Sequence, residues 1–491
     1  MNLSKSRYCE ALQCKKMLWL YVNKPEVMSN VDNSATLEQG NMVHEVAKYL
    51  FNEHVNISYS DNLQEMINDT YVTLESYDDV IITEASFNYF NNFCSVDILK
   101  KNGDKYEMYE VKSSTKLKDV YINDASYQYY VLTKLGFKVK KCSIVVINSD
   151  YERNGDIELD KLFEVFDITK DVISLQEKVE DNVNEINTYM GFNSEPSKDI
   201  SRDCFTPYDC PFFKYCTSNL PVPNVFDIGV KPGLKGLKYY QKGYASFNDL
   251  LNAKLTEKER QVVEFNVYDK PPYVDKEEIK KFLDTLSYPL YFLDFETYQM
   301  PVPLYDRVRP YEQVPFQYSL HILNSDDGEL EHREFLASGE GDPRRKLAEQ
   351  LVSDIPTDVC SLAYNMSFEK RVIKRLANIY PDLAEHLLNI YDNMHDLEVP
   401  FDKRYYYCKE MGSSSSIKKV LPALFPNDEE LDYHNLDLIH NGSEAMNSYA
   451  NLANMNSEDR EYTRERLLRY CELDTYAMVK IHKKLKEVVN R

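Results

Sequence analysis

The chain has 491 residues and carries 80 Asp and Glu residues against 58 Lys and Arg, for a formal net charge of −22. This acidic balance excludes a protein that coats nucleic acid through a broadly basic surface, although it allows a local basic groove. The ten cysteines are few for this length and argue against a disulfide scaffold. No apolar run reaches about 18 residues, and the first ten residues lack the apolar core of a secretory signal. We therefore expect a cytoplasmic protein without a membrane span.

The order of the predicted elements indicates an α/β protein with several domains. In the first part of the chain the patterns are a helix over Leu3–Asn23, a helix over Leu37–Asn52, three strands over Val80–Ser113 and a helix over Tyr121–Gly136. Proline and glycine clusters that begin near residue 221 mark a boundary, and Lys270-Pro271-Pro272 marks a second break. We predict three segments: a first domain over 1–220, a small helical linker module over 221–285 and a second α/β domain over 286–491.

A carboxylate and a lysine lie one residue apart at the end of the predicted strand Lys105 to Lys112. Residues i and i+2 of a strand point to the same face, so Glu110 and Lys112 share a site. A hairpin across residues 101–104 brings Asp97, on the preceding predicted strand, towards Glu110. Two carboxylates and one ammonium can hold Mg²⁺, polarise a phosphate and orient a water. The Glu-x-Lys pair by itself is more typical of a surface salt bridge in a hairpin.

A second acidic set lies nearer the C-terminus. Asp294 and Glu296 are again i and i+2 at the end of an apolar strand, and Glu369 opens a helix after another strand. Tyr470 and Asp474 are i and i+4 in a helix and share one face. The four carboxylates can surround two metal ions about 3.5–4 Å apart, the arrangement for in-line phosphodiester cleavage, with Tyr470 positioning the attacking water. Each motif alone is more typical of a strand end or a helix surface, but their order, element types and spacing together argue against chance.

This second set resembles the DEDD exonuclease superfamily, which is built on an RNase H-like fold. Three motifs carry the resemblance: Asp294-Phe295-Glu296-Thr297, Asn365-Met366-Ser367-Phe368-Glu369 and Tyr470-Cys471-Glu472-Leu473-Asp474. The tyrosine of the third motif is similar to the tyrosine-type branch. The second motif of the superfamily usually ends in Asp, and Glu369 stands in that place here. The stretches 309–321 and 414–422 resemble an uncharacterised bacterial family with this exonuclease-like domain, and the resemblance covers about 286–491.

Residues 1–220 resemble the RecB-type nucleases of the PD-(D/E)xK class, close to the CRISPR-associated iron–sulfur exonucleases. The matching residues are His44 four positions after Gly40, Asp97, Glu110 with Lys112, and Gln128. The family usually has a tyrosine four residues after the glutamine, where this chain has Leu132. The resemblance implies a restriction-endonuclease-like fold in which His44, Asp97 and Glu110 bind Mg²⁺ or Mn²⁺. It also implies that Lys112 stabilises negative charge or helps to position the water.

In the same family, one N-terminal cysteine and three cysteines after the nuclease core bind a [4Fe–4S] cluster. Four cysteines fit this set: Cys14, Cys204, Cys210 and Cys216. The resemblance implies a structural cluster that joins the start of the chain to the segment after the core, although the spacing departs from the commoner C-x2-C pair. Cys9 is the competing N-terminal thiol. Zinc binding and free thiols are alternatives for the three clustered cysteines, with zinc disfavoured because there is no C-x2-C or paired histidine.

Together these patterns predict a metal-dependent nuclease with two separate active sites that processes nucleic-acid ends, with DNA favoured over RNA. Two alternatives stay open. One domain could serve only as a nucleic-acid clamp, or the whole chain could be a binding module of a larger repair, defence or spacer-acquisition complex. The sequence contains no Gly-x4-Gly-Lys-Ser/Thr P-loop, so any unwinding needs a partner.

Overall fold

The computed structural model describes residues 3–29, 34–51 and 53–490. The chain divides into two compact units. The N-terminal unit is Met1–Asn219 with Met300–Tyr311, and the C-terminal unit is Leu220–Gln299 with Glu312–Arg491. The segment predicted as a linker module therefore belongs to the C-terminal unit, and residues 300–311 belong to the N-terminal unit. Both units contain helices and a mixed sheet, which confirms the predicted mixed α/β class.

The N-terminal unit is built on a mixed sheet. Its described strands are β1 (Val55–Asn56), β2 (Asp79–Tyr89), β3 (Asn92–Asn102), β4 (Lys105–Lys112), β5 (Lys138–Ile147) and β6 (Phe163–Asp167). They lie side by side in chain order. Strands β2, β3 and β4 form an antiparallel meander, whereas β4 and β5 are parallel. A parallel pair needs a crossover connection, and the helix Asp119–Lys134 provides it.

Helices cover both faces of this sheet. The described helices are α1 (Lys5–Gln13), α2 (Lys15–Asn23), α3 (Ser34–Ala47), α4 (Leu63–Ser76), α5 (Asp119–Lys134), α6 (Leu159–Leu162), α7 (Thr169–Ser174), α8 (Gln176–Met190) and α9 (Phe213–Cys216). The single helix predicted over Leu3–Asn23 is wrong. The chain forms α1 and α2 instead, because Cys14 between them has an extended backbone with φ −157° and ψ 110°.

Alternation along the central strands separates two apolar cores in this unit. On β5, Ile144 and Val146 pack in the core that includes α1, α4, α5 and α8. Val145 and Ile147 pack on the other side, with residues of α3. Because both faces are buried there, the last four residues of β5 (144–147) form a continuous apolar run, as is usual for parallel strands. Glu110 lies two residues after Met108 on β4, so the two side chains share one face of the sheet. Met108 lies in the core with α1 and α5.

The C-terminal unit contains a second mixed sheet. The described strands are β7 (Tyr273–Val274), β8 (Leu290–Tyr298), β9 (Val314–Leu323), β10 (Leu330–Leu336), β11 (Cys360–Ala363), β12 (Met394–Asp396) and β13 (Tyr406–Tyr407). The main sheet has the order β10-β9-β8-β11-β12, antiparallel from β10 to β8 and parallel from β8 to β12. The carboxyl ends of β8, β11 and β12 meet at one edge, where open α/β sheets bind their ligands.

Helices pack on this sheet and one long helix ends the chain. The described helices are α10 (Leu234–Tyr240), α11 (Phe247–Leu250), α12 (Glu257–Val267), α13 (Lys276–Leu283), α14 (Arg344–Asp354), α15 (Ser367–Ile379), α16 (Ala384–Asp392), α17 (Val399–Asp402), α18 (Ile417–Leu424), α19 (Gly442–Asn451) and α20 (Ser457–Asn490). Apolar residues of α14, α15 and α16 form a core with β8, β9 and β11. In the part of the chain that the structure describes, no helix is long and apolar enough to cross a membrane.

Candidate active sites

Glu110 and Lys112 lie side by side at the end of β4, as their spacing predicts. Lys112 Nζ is 2.7 Å from Glu110 Oε1, and Glu110 is only 1% exposed. The β3–β4 hairpin places Asp97 beside them, and Asp97 Oδ2 accepts a hydrogen bond of 2.7 Å from the backbone N–H of Val111. The pair is therefore part of a buried polar cluster, unlike the surface salt bridge that the local pattern favours.

Helix α5 brings two polar side chains to this pair. Gln128 Nε2 donates a hydrogen bond of 2.6 Å to Glu110 Oε2, and Lys112 Nζ donates one of 2.5 Å to Asp124 Oδ2. Gln128 Nε2 also lies 3.2 Å from Asp124 Oδ1. The sequence analysis predicted Gln128 but missed Asp124. The available signal was its position four residues before Gln128, which places both side chains on one helix face.

His44, Glu84 and Asp97 form a compact group of possible metal ligands. One ligand atom of each lies within 4.8 Å of the others, and His44 Nδ1 is 3.9 Å from Asp97 Oδ1. Glu84 was missed by the sequence analysis. It lies on β2 with a φ of +60°, which interrupts the regular strand geometry. Simple strand alternation could not find it for that reason.

Lys5, the first residue of α1, bridges the two carboxylates of the β3–β4 hairpin. Its Nζ lies 3.1 Å from Asp97 Oδ1, and 2.9 and 3.2 Å from the two carboxylate oxygens of Glu110. The compact ligand group among the described residues contains Glu84 and not Glu110. Glu84 thus joins His44 and Asp97 as a possible ligand, and Glu110 is paired with Lys5 and Lys112.

Glu110 and Lys112 both keep their charges. Burial acts to raise the pKa of Glu110, but the ammonium groups of Lys112 and Lys5 and the amide of Gln128 bring it below the usual range. Burial acts to lower the pKa of Lys112, whereas the carboxylates of Asp124 and Glu110 raise it above the usual range. Lys112 is thus a fixed positive charge that can stabilise an anion, and it does not act as a base near neutral pH.

The four cysteines singled out from the sequence line one small cavity in the N-terminal unit. It has a volume of about 20 Å³ and contains Cys14, Cys204, Cys210 and Cys216 in its wall. The break between α1 and α2 places Cys14 there, and Gln13 fastens the facing loop by donating hydrogen bonds of 2.7 Å to the carbonyls of Asp203 and Tyr208. Cys9 packs against the main core of the unit instead.

The pKa values of these thiols and the distances between their sulfur atoms limit the metal ions that they can bind. Burial raises the pKa of Cys210 to about 12 and also raises the pKa of Cys204 and Cys216. Among the described residues, no three cysteine sulfurs lie within 4.8 Å of one another. Tetrahedral zinc with Zn–S bonds of about 2.3 Å needs its sulfurs about 4 Å apart. Among the described residues, these sulfurs are therefore spaced more widely than three or four thiolate ligands of one zinc ion.

In the C-terminal unit, Asp294 and Glu296 lie at the carboxyl end of β8, and α20 brings Asp474 to them. One carboxylate oxygen of each residue lies within 4.8 Å of the others. Glu296 is 9% exposed and Asp474 is 8% exposed. The strand and helix spacings in the sequence therefore correspond to one convergent set of carboxylates, of which Glu296 and Asp474 are buried and Asp294 is half-buried.

Glu369 lies near this group in the first turn of α15. It is 2% exposed, and its Oε2 has no hydrogen-bond partner within the described chain. Asp396, at the end of β12, holds the start of α15 by accepting hydrogen bonds from the backbone N–H groups of Asn365 (3.0 Å) and Met366 (3.3 Å). Asn365 has a φ of +64°, the left-handed conformation that asparagine tolerates in a tight turn. This turn places Glu369 close enough to the other acids for its charge to raise the pKa of Asp294 and Glu296.

All four carboxyl groups of this site have raised pKa values. Burial raises the pKa of Glu369 to about 8, and burial with the charge of Asp474 raises that of Glu296 to about 8. Burial raises the pKa of Asp474 to about 6. Burial and the charges of the other three acids raise the pKa of Asp294. A divalent cation would relieve this repulsion and supply the missing partner of Glu369, so the residues fit a metal site.

Two tyrosines stabilise Asp474. Tyr433 Oη donates a hydrogen bond of 2.6 Å to Asp474 Oδ1. A side-chain hydrogen bond from Tyr470 also lowers the pKa of Asp474. Tyr470 was predicted to position water, and in the structure it is 3% exposed and supports the carboxylate. Tyr433 was missed, because no local pattern links it to a residue so far along the chain.

Residues 291–416 match the model of a domain of unknown function, DUF2779. No curated protein matches the chain. The DUF2779 segment contains Asp294, Glu296 and Glu369 and ends before Tyr470 and Asp474. It lies within the predicted exonuclease-like segment, and its description names no activity.

Lys418 follows the DUF2779 segment in the first turn of α18. Its Nζ lies 5.8 Å from the ring centroid of Tyr433 and 5.9 Å from that of Tyr470. Its charge lowers the pKa of both Glu296 and Asp474. The Lys418 side chain is exposed. An ammonium group is therefore available to solvent next to the buried acids.

A cleft of about 540 Å³ opens beside this site. Lys418 and Tyr433 line it together with Phe425, His434 and His440. Aromatic rings next to a lysine are the side chains on which nucleic-acid bases stack while the backbone meets a positive charge. The cleft shares Tyr433 with the acidic group, because the same side chain lines the cleft and donates a hydrogen bond to Asp474.

Proposed function

We propose that the chain is a metal-dependent nuclease with one active site in each unit, and that it processes DNA ends by hydrolysing phosphodiester bonds. The observation that carries the proposal is the convergence of Asp294, Glu296 and Asp474 within 4.8 Å, with the unpartnered oxygen of Glu369 nearby. Carboxylate oxygens of this kind bind Mg²⁺ or Mn²⁺ in phosphoryl-transfer sites.

In the C-terminal site, the four carboxylates would hold two metal ions, which supply an activated water and neutralise charge on the phosphate. The other residues orient this set. Tyr433 and Tyr470 favour the ionised form of Asp474 through hydrogen bonds. Lys418 binds a phosphate oxygen of the substrate strand, because its ammonium is exposed at the edge of the acids.

In the N-terminal site, His44, Glu84 and Asp97 would hold a metal ion, with Glu110 as a further carboxylate. Lys112 stays charged and stabilises the negative charge that develops on the phosphate. Gln128, Asp124 and the backbone of Val111 fix the orientation of these groups through hydrogen bonds. Their contribution is positioning, because each acts through a hydrogen bond to Glu110, Lys112 or Asp97.

The two folds that we propose are a restriction-endonuclease-like N-terminal unit and an RNase H-like C-terminal unit. The first is supported by the strand β4, which carries Glu110 and Lys112 and connects through α5, with Gln128, to the parallel strand β5. The second is supported by the central strand β8, which carries two acids at its carboxyl end, and by α20, which carries the third.

The cysteine cavity is proposed to hold a [4Fe–4S] cluster. Its four cysteines come from the break between α1 and α2 and from the segment after the sheet. Thiolate bonds to one cluster would join these distant parts of the chain, so the role is structural. Because the sequence has no P-loop, we assign the opening of duplex substrates to a partner protein of a repair or defence system.

Cleavage of end-labelled single- and double-stranded DNA tests the proposal. Protein purified without oxygen is compared with Lys112→Ala, Asp294→Ala and the double variant, with and without Mn²⁺. Matched controls are Lys105→Ala, at the exposed start of β4, and Glu472→Ala, which removes an ion pair with Arg469 on α20. We expect each active-site variant to lose a different set of products and the controls to cleave as the parent does.

Other outcomes select among the alternatives. If Lys112→Ala alone abolishes cleavage, the C-terminal unit acts as a clamp or on another substrate such as RNA. If Asp294→Ala alone abolishes it, the N-terminal unit is the clamp. Cleavage by the double variant at the rate of the parent protein would show that neither site is a nuclease, and the chain would then be a binding module.

A further inference from the structure

Lys5 is a third charged group between the acids of the N-terminal site, and the proposed function gives it no role. Its ammonium lies 3.1 Å from Asp97 Oδ1 and 2.9 Å from Glu110 Oε1. The side chains of Asp97 and Glu110 are 5% and 1% exposed. The Lys5 side chain is 24% exposed, so water screens these charges less than it screens a fully exposed ion pair.

The fold holds Lys5 in place from both sides. Before it, the N–H of Leu3 donates a hydrogen bond of 2.7 Å to the carbonyl of Asn91, in the turn between β2 and β3. After it, the buried ring of Tyr8 stacks on Tyr127 with 4.8 Å between the centroids. These contacts fix the first turn of α1 against the sheet. The position of Lys5 in the site is therefore fixed by the packing of α1.

We infer that Lys5 is the resident cation of the N-terminal site and that a divalent metal ion must displace its ammonium from Asp97 and Glu110. Mg²⁺ binds carboxylate oxygens at about 2.0–2.1 Å, so an ion bound to both acids would lie in contact with the ammonium. Two cations at that distance repel strongly in a buried site. Lys5 therefore weakens metal binding by these two acids.

This inference rests on the proposed metal site, and Mn²⁺ affinity tests it directly. The background protein carries Asp294→Asn and Asp474→Asn to remove two acids of the C-terminal site, and Mn²⁺ is titrated by calorimetry near neutral pH. We expect Lys5→Met to bind Mn²⁺ about tenfold more tightly than the background protein. Lys5→Arg keeps the charge and should stay within about threefold of it. Lys15→Met, which removes an ion pair with Glu185, is the matched control and should change nothing.

Lys5→Gln is measured in parallel, because it retains a hydrogen-bond donor if the methionine variant fails to fold by circular dichroism. The same tightening is expected. Unchanged or weaker Mn²⁺ binding in folded Lys5→Met and Lys5→Gln overturns the inference and leaves the metal site standing. If neither the background protein nor any Lys5 variant binds Mn²⁺, the N-terminal metal site itself is wrong, and the inference falls with it.

Discussion

Tyr433 donates a hydrogen bond from Oη to Oδ1 of Asp474 over 2.6 Å, and both side chains are buried. This bond favours the ionised carboxylate and so opposes the burial that raises the pKa of Asp474 to about 6. We expect Tyr433→Phe to raise that pKa further, by about one unit if the lost bond contributes about 1.4 kcal/mol. The pH at which Mn²⁺ half-saturates the C-terminal site should rise by a similar amount.

Calorimetric Mn²⁺ titrations over a range of pH measure this shift, in a background that carries Asp97→Asn to remove an acid of the N-terminal metal group. Tyr462→Phe is the control, because its hydroxyl bonds to Asp437 and lies outside the carboxylate set. A pH midpoint that is the same in Tyr433→Phe and Tyr462→Phe would show that Tyr433 does not tune the site.

The raised pKa values also make the metal-free protein sensitive to pH. Glu296 and Glu369 have pKa values of about 8 in the folded chain, against about 4.3 for a free glutamate. Between these limits the folded state binds more protons than the unfolded state, so the free energy of unfolding falls as pH rises. The buried histidines His321 and His482, whose pKa values are lowered, have their effect below about pH 6.5.

Thermal unfolding without metal should therefore occur at a lower temperature at about pH 8 than at about pH 6.5. Each kcal/mol lost corresponds to roughly 2–4 °C for a unit of about 150–250 residues. Added Mn²⁺ should raise the melting temperature more at the higher pH. The double variant Glu296→Gln and Glu369→Gln should show a flatter pH dependence, and an unchanged slope in it would contradict the assignment.

Lys418 and Lys419 are adjacent exposed lysines that offer a matched comparison. Only Lys418 lies over the rings of Tyr433 and Tyr470 beside the acids. We expect Lys418→Met to reduce cleavage by the C-terminal site about 10- to 100-fold, since about 1.4–2.7 kcal/mol of charge stabilisation is lost. Mn²⁺ affinity should not weaken, because a nearby positive charge is removed.

Steady-state cleavage is measured in the Lys112→Ala background, so that the C-terminal site alone is assayed. Lys419→Met should cleave at the rate of its parent. Lys418→Arg should recover part of the rate because it keeps the charge. Equal rates for Lys418→Met and Lys419→Met would rule out a role for Lys418 in phosphate binding.

Cys14 and Cys9 allow a similar comparison at the cysteine cavity. Cys14 lines the cavity with Cys204, Cys210 and Cys216, whereas Cys9 packs in the main core. After anaerobic purification we expect Cys14→Ser to lose most iron, acid-labile sulfide and visible absorbance, and Cys9→Ser to retain them. Metal analysis that finds zinc and no iron in the parent protein would contradict the cluster.

Local periodicity explains which site residues the sequence could predict. Glu110 and Lys112, like Asp294 and Glu296, share a face because a strand repeats every two residues. Tyr470 and Asp474 share a face because helix neighbours are four residues apart. These relationships depend only on the backbone geometry of one element, so they are the same in any fold that contains the strand or the helix.

Residues that come from distant elements could not be predicted in this way. Lys5 is 105 positions from Glu110, and Tyr433 is 41 positions from Asp474. Glu84 needs both the β2–β3 register and a positive φ to meet Asp97. No periodic pattern connects such pairs, because their contacts depend on how whole elements pack.

The sequence alone therefore determined the α/β class, the acidic motifs and the four cysteines, all of which rest on local pattern and residue chemistry. Only the tertiary structure decided that Cys14 breaks a helix to reach the cysteine cavity, and that residues 300–311 belong to the N-terminal unit. It also decided that Lys5 stands between two acids. The physical reason is that burial and packing between elements, and not the propensity of any single segment, set these long-range positions.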